Sequence, residues 1–408
     1  MAMKQTQTKL FDFSDVGLDF SAGSKALFPD RFKKMLANGY NPQTASSASI
    51  TGDQVTLTYG VTHGCVAGRV LFITATGGYN KEVYIDSVTS STVMFTDATA
   101  TGLTGLINTK VASLGWELVY ELANIHVYKM KHIDDTDRYV RMCFQDVEGQ
   151  RNAIAICIGK SYDSATGFID DINSLAATRS IMHPNAANTL KWDFSGAATD
   201  SGNNYTYSQG YAVYGRGFFV GSIYHFIMLN NNQQGSAVFS AILAASTYDY
   251  DVLKYPLFTC VAGTSTTSNN ADIGIFDTAT TNNPSVYIGG IRCRFDVTTS
   301  VTNNVFNTNP RPSSSALPST VDGFNTTTCR HIPIYTQADS QFIGYCLGSY
   351  LAMYGNNATA PDINKTVLPQ ITTDIDLSNL MAVHNGAPST SKSLANYIAI
   401  PIEEIKIA

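Results

Sequence analysis

The sequence predicts a mainly β protein of antiparallel sandwich or barrel-like domains, with a short N-terminal helix and an inserted small β-barrel. Short runs of β-branched and aromatic residues alternate with polar ones, and polar connections of turn length separate these runs. The composition adds a third observation, because only 14% of the 408 residues are charged. An ordinary soluble domain has about a quarter. Ser, Thr, Asn, Gly and Tyr make up the difference, and a surface of such residues costs less to desolvate than an ionic one.

A chain of 408 residues exceeds the size at which one core keeps growing, so we expect more than one domain. An N-terminal arm and helix are predicted at 1–49, with the helix over 28–38. Pro29 suits the first turn of that helix and Gly39 suits its end. Residues Asn41 to Ser49 are small and polar, and they are interpreted as a linker.

A compact β-barrel module is expected at 50–108. Its strands are short and are joined by turn-length loops, which is typical of a small closed or nearly closed sheet. The predicted strands are Val55–Tyr59, Val70–Thr74, Glu82–Val88 and Thr92–Thr96.

One or more main β-rich domains are expected at 109–408. A stretch at 296–328 is rich in Asn, Thr, Ser and Pro, and it is interpreted as a long loop. The last residues alternate in hydrophobicity and predict a closing strand with Pro401 at a sheet edge. The predicted strand regions are Trp116–Tyr120, Asn124–Lys129, Tyr139–Phe144, Ala153–Ile158, Tyr211–Leu229, Val238–Ala244, Val286–Phe295 and Tyr397–Ala408.

Charge and cysteine usage argue against several function classes. The net charge is −6 and the 26 Lys and Arg residues are scattered, so no direct nucleic-acid binding is expected. The longest apolar region, 212–229, contains Arg216 and His225, so no membrane segment is expected. The seven Cys residues are odd in number and widely spaced, which argues against a disulfide framework or a zinc site and favours a reducing cytoplasm.

Two groups of residues invite a catalytic or ligand-binding interpretation. Gly159-Lys160-Ser161 follows an apolar run like a phosphate-binding loop, but Ile154 stands where the first glycine of that motif should be. Carboxylates cluster at Asp134, Asp135 and Asp137 and again at Asp170 and Asp171, where a glycosidase pair is one interpretation, and for 134–137 a calcium site is another. Adjacent residues on a strand point to opposite faces, and turn chemistry explains the run at 134–137 better.

The seven histidines show no metal-binding motif apart from the loose pairing of Cys329 with His331. The even separation of His126 and His132 would permit one face of a strand, but a turn is expected between them. His63 is expected to shape a turn. We therefore assign no catalytic, cofactor-binding or metal-binding residues and expect a protein that is not an enzyme and needs no cofactor. The histidines are His63, His126, His132, His183, His225, His331 and His384.

Tyrosine is the one residue type whose abundance indicates an interaction surface. There are 22 Tyr against 2 Trp, and several of them form pairs beside Asn- and Gly-rich turns. Most are expected to fill sheet faces, while a minority would lie at interfaces, where a subunit contact is favoured over a glycan. The pairs are Tyr205 with Tyr207, Tyr211 with Tyr214, and Tyr248 with Tyr250.

Two segments resemble known families. Val55–Gly68, followed by Val83–Thr96, resembles a small β-barrel module that recurs, often inserted, in structural proteins of tailed bacteriophages. The second segment resembles a family of uncharacterised virion proteins with a Gly-Trp, a strand ending in Tyr, an Arg-Tyr pair and a Tyr-Asp-containing turn. These elements are Leu114–Tyr120, Asn124–Tyr128, Arg138–Met142 and Lys160–Phe168.

The resemblance implies a non-catalytic structural component of a bacteriophage tail, neck or baseplate, located in the virion and assembled in the host cytoplasm. Its partners would be copies of itself in a cyclic homo-oligomer and other virion proteins, with edge strands and the N-terminal arm adding to neighbouring subunits. A receptor-recognition or glycan-binding virion module is the alternative. A glycan-degrading enzyme that uses Asp135 or Asp170 is a third.

Overall fold

The computed structural model shows a mainly β chain with one short helix near the N-terminus, which confirms the predicted fold class. The strands pair in antiparallel fashion throughout the described parts of the chain. The structure describes residues 6–18, 27–146, 153–184, 190–193, 217–231, 237–262, 284–295, 327–354, 370–373, 380–385 and 397–402.

The predicted helix is present as α1 (Leu27–Lys33), which continues into a π-helical turn over Lys34–Asn38. It ends at Gly39, whose φ of +73° favours glycine and whose N–H donates to the Lys34 carbonyl at 2.8 Å. A Cβ atom on Gly39 would also lie 2.4 Å from the Val111 carbonyl oxygen. Glycine at position 39 therefore ends the helix and leaves room for the strand that contains Val111 to pack beside it. The buried face of this helical segment consists of Phe28, Pro29, Arg31, Phe32, Met35 and Leu36.

The inserted module consists of two four-stranded sheets around one core. One sheet has the order β2-β9-β5-β6 and the other β3-β4-β8-β7. The chain passes from one sheet to the other between β2 and β3 and between β6 and β7, and inward residues of both sheets form one hydrophobic cluster. The first strands are β1 (Lys9–Asp12), β2 (Tyr40–Ala45), β3 (Ser47–Thr51), β4 (Gln54–Thr58), β5 (Val70–Ala75), β6 (Asn80–Tyr84), β7 (Ser87–Val88), β8 (Thr92–Thr96) and β9 (Ile107–Val111).

The predicted linker at 41–49 is wrong, because these residues form β2 and most of β3. Thr44 lies opposite Asn108 of β9, and Ser49 lies opposite Thr56 of β4. Main-chain hydrogen bonds form such ladders without large side chains, so a run of small polar residues can be a strand. The strands of the module consequently run from Tyr40 to Val111 rather than within 50–108.

The rest of the chain forms a two-sheet sandwich joined to a closed barrel. The sheet β10–β14 faces the sheet β1-β15-β16-β17-β18, and β14 pairs with both β13 and β18. Trp116, Trp192 and Phe226 lie in the core between these sheets. The remaining strands are β10 (Glu117–Leu122), β11 (Ile125–Lys131), β12 (Asp137–Phe144), β13 (Ala153–Gly159), β14 (Leu190–Asp193), β15 (Gly217–Gly221), β16 (Phe226–Asn231), β17 (Ala237–Thr247), β18 (Leu257–Ala262), β19 (Pro284–Ile288), β20 (Ile291–Arg294), β21 (Thr327–Thr336), β22 (Phe342–Tyr354), β23 (Gln370–Thr373), β24 (Leu380–Asn385) and β25 (Tyr397–Pro401).

Strands β17 to β22 pair in succession, and β22 returns to pair with β17, which closes a six-stranded antiparallel barrel. At the closing pair, Ala245 lies opposite Cys346. A Cβ atom on Gly344 would lie 2.0 Å from the Ser246 carbonyl oxygen, so only glycine allows β17 to approach β22 this closely. Ile332 and Ile334 of β21 contribute to the core cluster of this part of the chain.

The C-terminal strand is present as β25, which pairs with β22 and β24 and ends at Pro401, opposite Met381. The long loop expected at 296–328 lies outside the described residues, apart from Thr327 and Thr328, which begin β21. The structure describes the side chains of six of the seven cysteines, and all six are buried thiols. They are Cys65, Cys143, Cys157, Cys260, Cys293 and Cys346.

The N-terminal arm contributes a strand to the main sheet of its own chain. Its strand β1 pairs with β15, so that Phe11 lies opposite Phe219. The turn after β1 then reaches the inserted module through Asp15. Arg69 donates from Nε and Nη2 to the Asp15 carboxylate at 2.7 and 3.0 Å, and the Tyr40 hydroxyl donates to it at 2.6 Å.

This contact between the arm and the module, which we call the joint, is almost completely shielded from water. The side chains of Asp15 and Arg69 are 4% and 7% exposed. Burial and the Asp15 carboxylate raise the pKa of Tyr40 well above its ordinary value, so its hydroxyl stays a donor. A second ion pair joins Lys9 of the arm to Glu82 of the module at 3.0 Å. The arm is therefore held to the module by charge as well as by packing.

Replacing Arg69 by Met should destabilise the protein by about 3–5 kcal/mol, because the buried Asp15 carboxylate loses its cation. Urea-induced unfolding followed by circular dichroism measures this loss. Lys131→Met is the matched control, since its partner Asp137 lies 2.6 Å away in an exposed pair. That change should cost at most about 1 kcal/mol. Equal losses in the two variants would contradict the importance of the buried joint.

Candidate functional site

The acidic residues at 134–137 form the hairpin turn between β11 and β12. Asp134 accepts hydrogen bonds from the Thr136 N–H at 3.1 Å and from its hydroxyl at 2.5 Å. Asp137 pairs with Lys131, and Asp135, whose φ is +61°, accepts from the Tyr224 hydroxyl at 2.8 Å. Each carboxylate thus has a separate structural partner. Within the described residues, no three His, Cys, Asp or Glu side chains converge as a metal site would require.

The second acidic pair, Asp170 and Asp171, organises the loop after β13. Asp171 accepts from the Lys160 N–H at 2.8 Å, the Asn173 N–H at 2.9 Å and the Tyr255 hydroxyl at 2.7 Å. Burial raises the pKa of Asp171, but these hydrogen bonds outweigh it and hold the pKa below its ordinary value. A general acid at neutral pH needs the opposite shift. Asp171 is therefore a structural acceptor.

The segment that resembles a phosphate loop is an ordinary strand exit. The Lys160 Nζ lies 2.6 Å from the Asp251 carboxylate and 4.8 Å from the centre of the Tyr255 ring. A Cβ atom on Gly159 would lie 2.4 Å from Ile169, so this glycine serves close packing. The lysine is engaged with a carboxylate.

Four histidines, His63, His126, His132 and His225, are buried inside the fold, and the His132 Nδ1 and His225 Nε2 atoms have no hydrogen-bond partner among the described residues. His63 holds its turn by accepting the Cys65 N–H at 2.9 Å, and the Nδ1 atom of His126 lies 2.9 Å from the Tyr128 hydroxyl. Burial lowers the pKa of His126 and of His132 to about 4 and that of His225 to about 3. These rings are neutral at pH 7 and act as core residues. The side chains of Cys329 and His384 lie outside those that the structure describes.

A group of aromatic side chains lies on the outer side of the closed barrel, and we call this group the aromatic row. Successive ring centres lie 5.0–6.1 Å apart, mostly edge to face or tilted. Tyr248 and Tyr345 are 50% and 45% exposed, and the other members are half-buried or exposed. The row consists of Tyr248, Tyr335, Phe342, Tyr345, His331 and Tyr350.

Strand periodicity places these rings on one side. In β21, Ile332 and Ile334 point inward, so His331 and Tyr335 point outward. The register then sets His331 opposite Tyr350 and Tyr335 opposite Phe342. The row thus follows from the alternation of buried and exposed residues along the hairpin.

Barrel closure adds the last member of the row. The Tyr248 N–H donates to the Ile343 carbonyl at 3.1 Å, which brings the Tyr248 ring to 6.1 Å from that of Phe342. The sequence singled out Tyr248 but missed the members at 331–350, because the pairing of β21 with β22 contains register shifts. Tyr250 is 63% exposed and lies outside the row. Tyr205, Tyr207, Tyr211 and Tyr214 lie outside the described residues.

The aromatic row suits association with a partner. It offers flat apolar area with hydroxyl tips, and its members contain no carboxylate, lysine or arginine whose charge would have to be desolvated. Aromatic side chains carry much of the energy of protein interfaces, and Tyr is enriched among the residues that dominate it. Because the rings already contact one another, little side-chain freedom is left to lose on binding.

The buried histidines should make the protein labile to mild acid. A histidine whose pKa is lowered from 6.5 to about 4 on folding stabilises the fold fully above pH 6.5, and this stability is lost as the pH falls toward 4. Between about pH 7 and about pH 5, His126 alone should account for a loss on the order of 2 kcal/mol. Urea unfolding at the two pH values measures the loss, which His126→Gln should reduce. A His126→Gln variant that keeps the full wild-type loss of stability between the two pH values would refute the assignment.

No protein-family model, curated protein or solved structure matches the chain. Among the described residues, no helix is long and apolar enough to cross a membrane. The function proposed below accordingly depends on the geometry of the aromatic row, together with the resemblance carried by the sequence motifs.

Proposed function

We propose that the protein is a non-catalytic structural component of a tailed bacteriophage virion, of the tail, neck or baseplate type. It assembles in the host cytoplasm with copies of itself, in a cyclic homo-oligomer, and with other virion proteins. The aromatic row is the contact surface. The observation that carries the proposal is this row of partly exposed rings on a closed barrel.

The energetics favour such a contact. Burying apolar surface contributes roughly 25 cal/mol per Å², so each large aromatic ring that leaves water is worth on the order of 1–3 kcal/mol. The residues of the row carry no fixed charge, so the contact avoids the large cost of desolvating unpaired ions. The low charge of the whole chain, 14%, fits extensive contact of the same kind elsewhere on its surface.

Pairing of a strand from a neighbouring subunit with the closed barrel is a less suitable mode of contact. In the closed barrel every strand from β17 to β22 already pairs on both sides with other strands of the ring. A neighbouring subunit that meets this barrel therefore meets side chains, and the aromatic row supplies the largest ones.

Light scattering across a concentration series tests the proposal, with the wild-type chain expected to form a discrete ring-sized species. The double variant Tyr248→Ser/Tyr345→Ser removes two exposed rings of the row and should shift the equilibrium toward the monomer by at least about tenfold, equivalent to 1.4 kcal/mol. Tyr250→Ser is the matched control, because it removes an even more exposed ring from the same turn but outside the row.

A monomer at every concentration would overturn self-association. It would favour the alternative of a recognition module that binds a host glycan. An oligomer that both variants weaken equally would instead place the contact elsewhere on the surface.

A further inference from the structure

A groove of about 490 Å³ lies on the outer face of the inserted module. Its residues are distant in sequence from those of the aromatic row. It crosses strands β2, β9 and β5, with β9 in the middle. Its volume falls within the range of small-molecule sites, roughly 300–1,000 Å³. Its lining includes Thr44, Phe72, Thr74, Asn108 and Lys110.

Strand register arranges the groove in two parallel rows. Thr44 lies opposite Asn108, which lies opposite Thr74, so hydroxyl, amide and hydroxyl groups cross the three strands in line. In the next row Lys110 lies opposite Phe72. The residues between them along β9 and β5 point into the module core, so these side chains are held on a rigid sheet.

The polar row has hydrogen-bonding capacity to spare. The Thr44 hydroxyl donates to the Asn108 Oδ1 atom at 3.0 Å. Within the described part of the chain, neither the Asn108 Nδ2 group nor the Thr74 hydroxyl has a hydrogen-bond partner. Donors and acceptors thus alternate on one flat surface, which matches the hydroxyl groups around a sugar ring.

The second row combines an aromatic face with a cation. The Phe72 ring is half-buried, and the Lys110 Nζ lies 5.7 Å from its centre. The same ammonium donates to the Asn38 carbonyl at 2.7 Å, which holds it at the rim of the groove with further N–H groups available. An aromatic face packs against the apolar C–H face of a pyranose, and the ammonium attracts an anionic substituent.

We propose that this groove binds an acidic saccharide, with one ring stacked on Phe72, its hydroxyls on the Thr44–Asn108–Thr74 row and its anionic group on Lys110. A peptide would need a free strand edge to exchange main-chain hydrogen bonds, whereas the groove lies on a sheet face and offers side chains alone. The inference does not rest on the proposed assembly role, because a different surface carries it.

Isothermal titration calorimetry of the full chain tests the site with four probes. These are a tetrasaccharide of alternating glucuronic acid and N-acetylglucosamine, the neutral tetramer of N-acetylglucosamine, inorganic phosphate and tetraglutamate. We expect the acidic tetrasaccharide to bind more tightly than the neutral one, and phosphate and tetraglutamate to bind much more weakly than either.

Variants assign the binding to the groove. Phe72→Ala should weaken both saccharides by about tenfold, and Lys110→Gln should abolish the preference for the acidic one. Met94→Ala is the matched control, a half-buried outward side chain on the opposite sheet, and it should change neither affinity. Asn108→Ala, at an exposed position, provides a second test of the saccharide affinity should Phe72→Ala lower the thermal unfolding midpoint.

Three results would each overturn the proposal. One is the failure of the acidic tetrasaccharide to bind at millimolar concentration. Another is phosphate or tetraglutamate binding as tightly as the acidic tetrasaccharide, which would indicate a general anion site or a peptide site. The last is an equal loss of affinity in Phe72→Ala and Met94→Ala, which would place binding outside the groove.

Discussion

The buried contact of Asp15 with Arg69 and Tyr40 is the interaction on which the arrangement of the chain depends. Asp15 follows the strand that joins the main sandwich, Tyr40 begins the inserted module, and Arg69 precedes its strand β5. One carboxylate therefore connects three segments that are far apart in sequence. Buried ion pairs add little net stability compared with apolar packing, but they penalise every arrangement that separates the charges. This joint thus specifies how the arm meets the module.

One short strand connects the two sheets of the sandwich. Strand β14 has only four residues, yet it pairs with β13 on one side and β18 on the other. Its Trp192 fills the core and donates from Nε1 to the Thr259 carbonyl at 2.5 Å, so the same strand joins the sheets by backbone and by side chain.

Local patterns in the sequence predicted the parts of the structure that depend on local chemistry. Alternation identified strands such as Thr92–Thr96, and the Asp-rich run at 134–137 was interpreted as a turn because Asp side chains bond to nearby backbone groups. The strands at 40–51 were missed, since their small residues pair through the backbone alone. Closure of the barrel was also missed, because it requires β17 to meet β22 at Gly344. The aromatic row was missed because the pairing of β21 with β22 contains register shifts.

The closed ring of β17 to β22 affects how the sequence of this protein can evolve. Its backbone groups are satisfied inside the ring, so the outward side chains can drift without endangering the hydrogen-bond ladders beneath them. A few substitutions in the aromatic row would then redirect the surface to a new partner while the scaffold stays the same. Gly344 is the exception, because any side chain there meets the backbone of β17, and we expect it to tolerate no replacement.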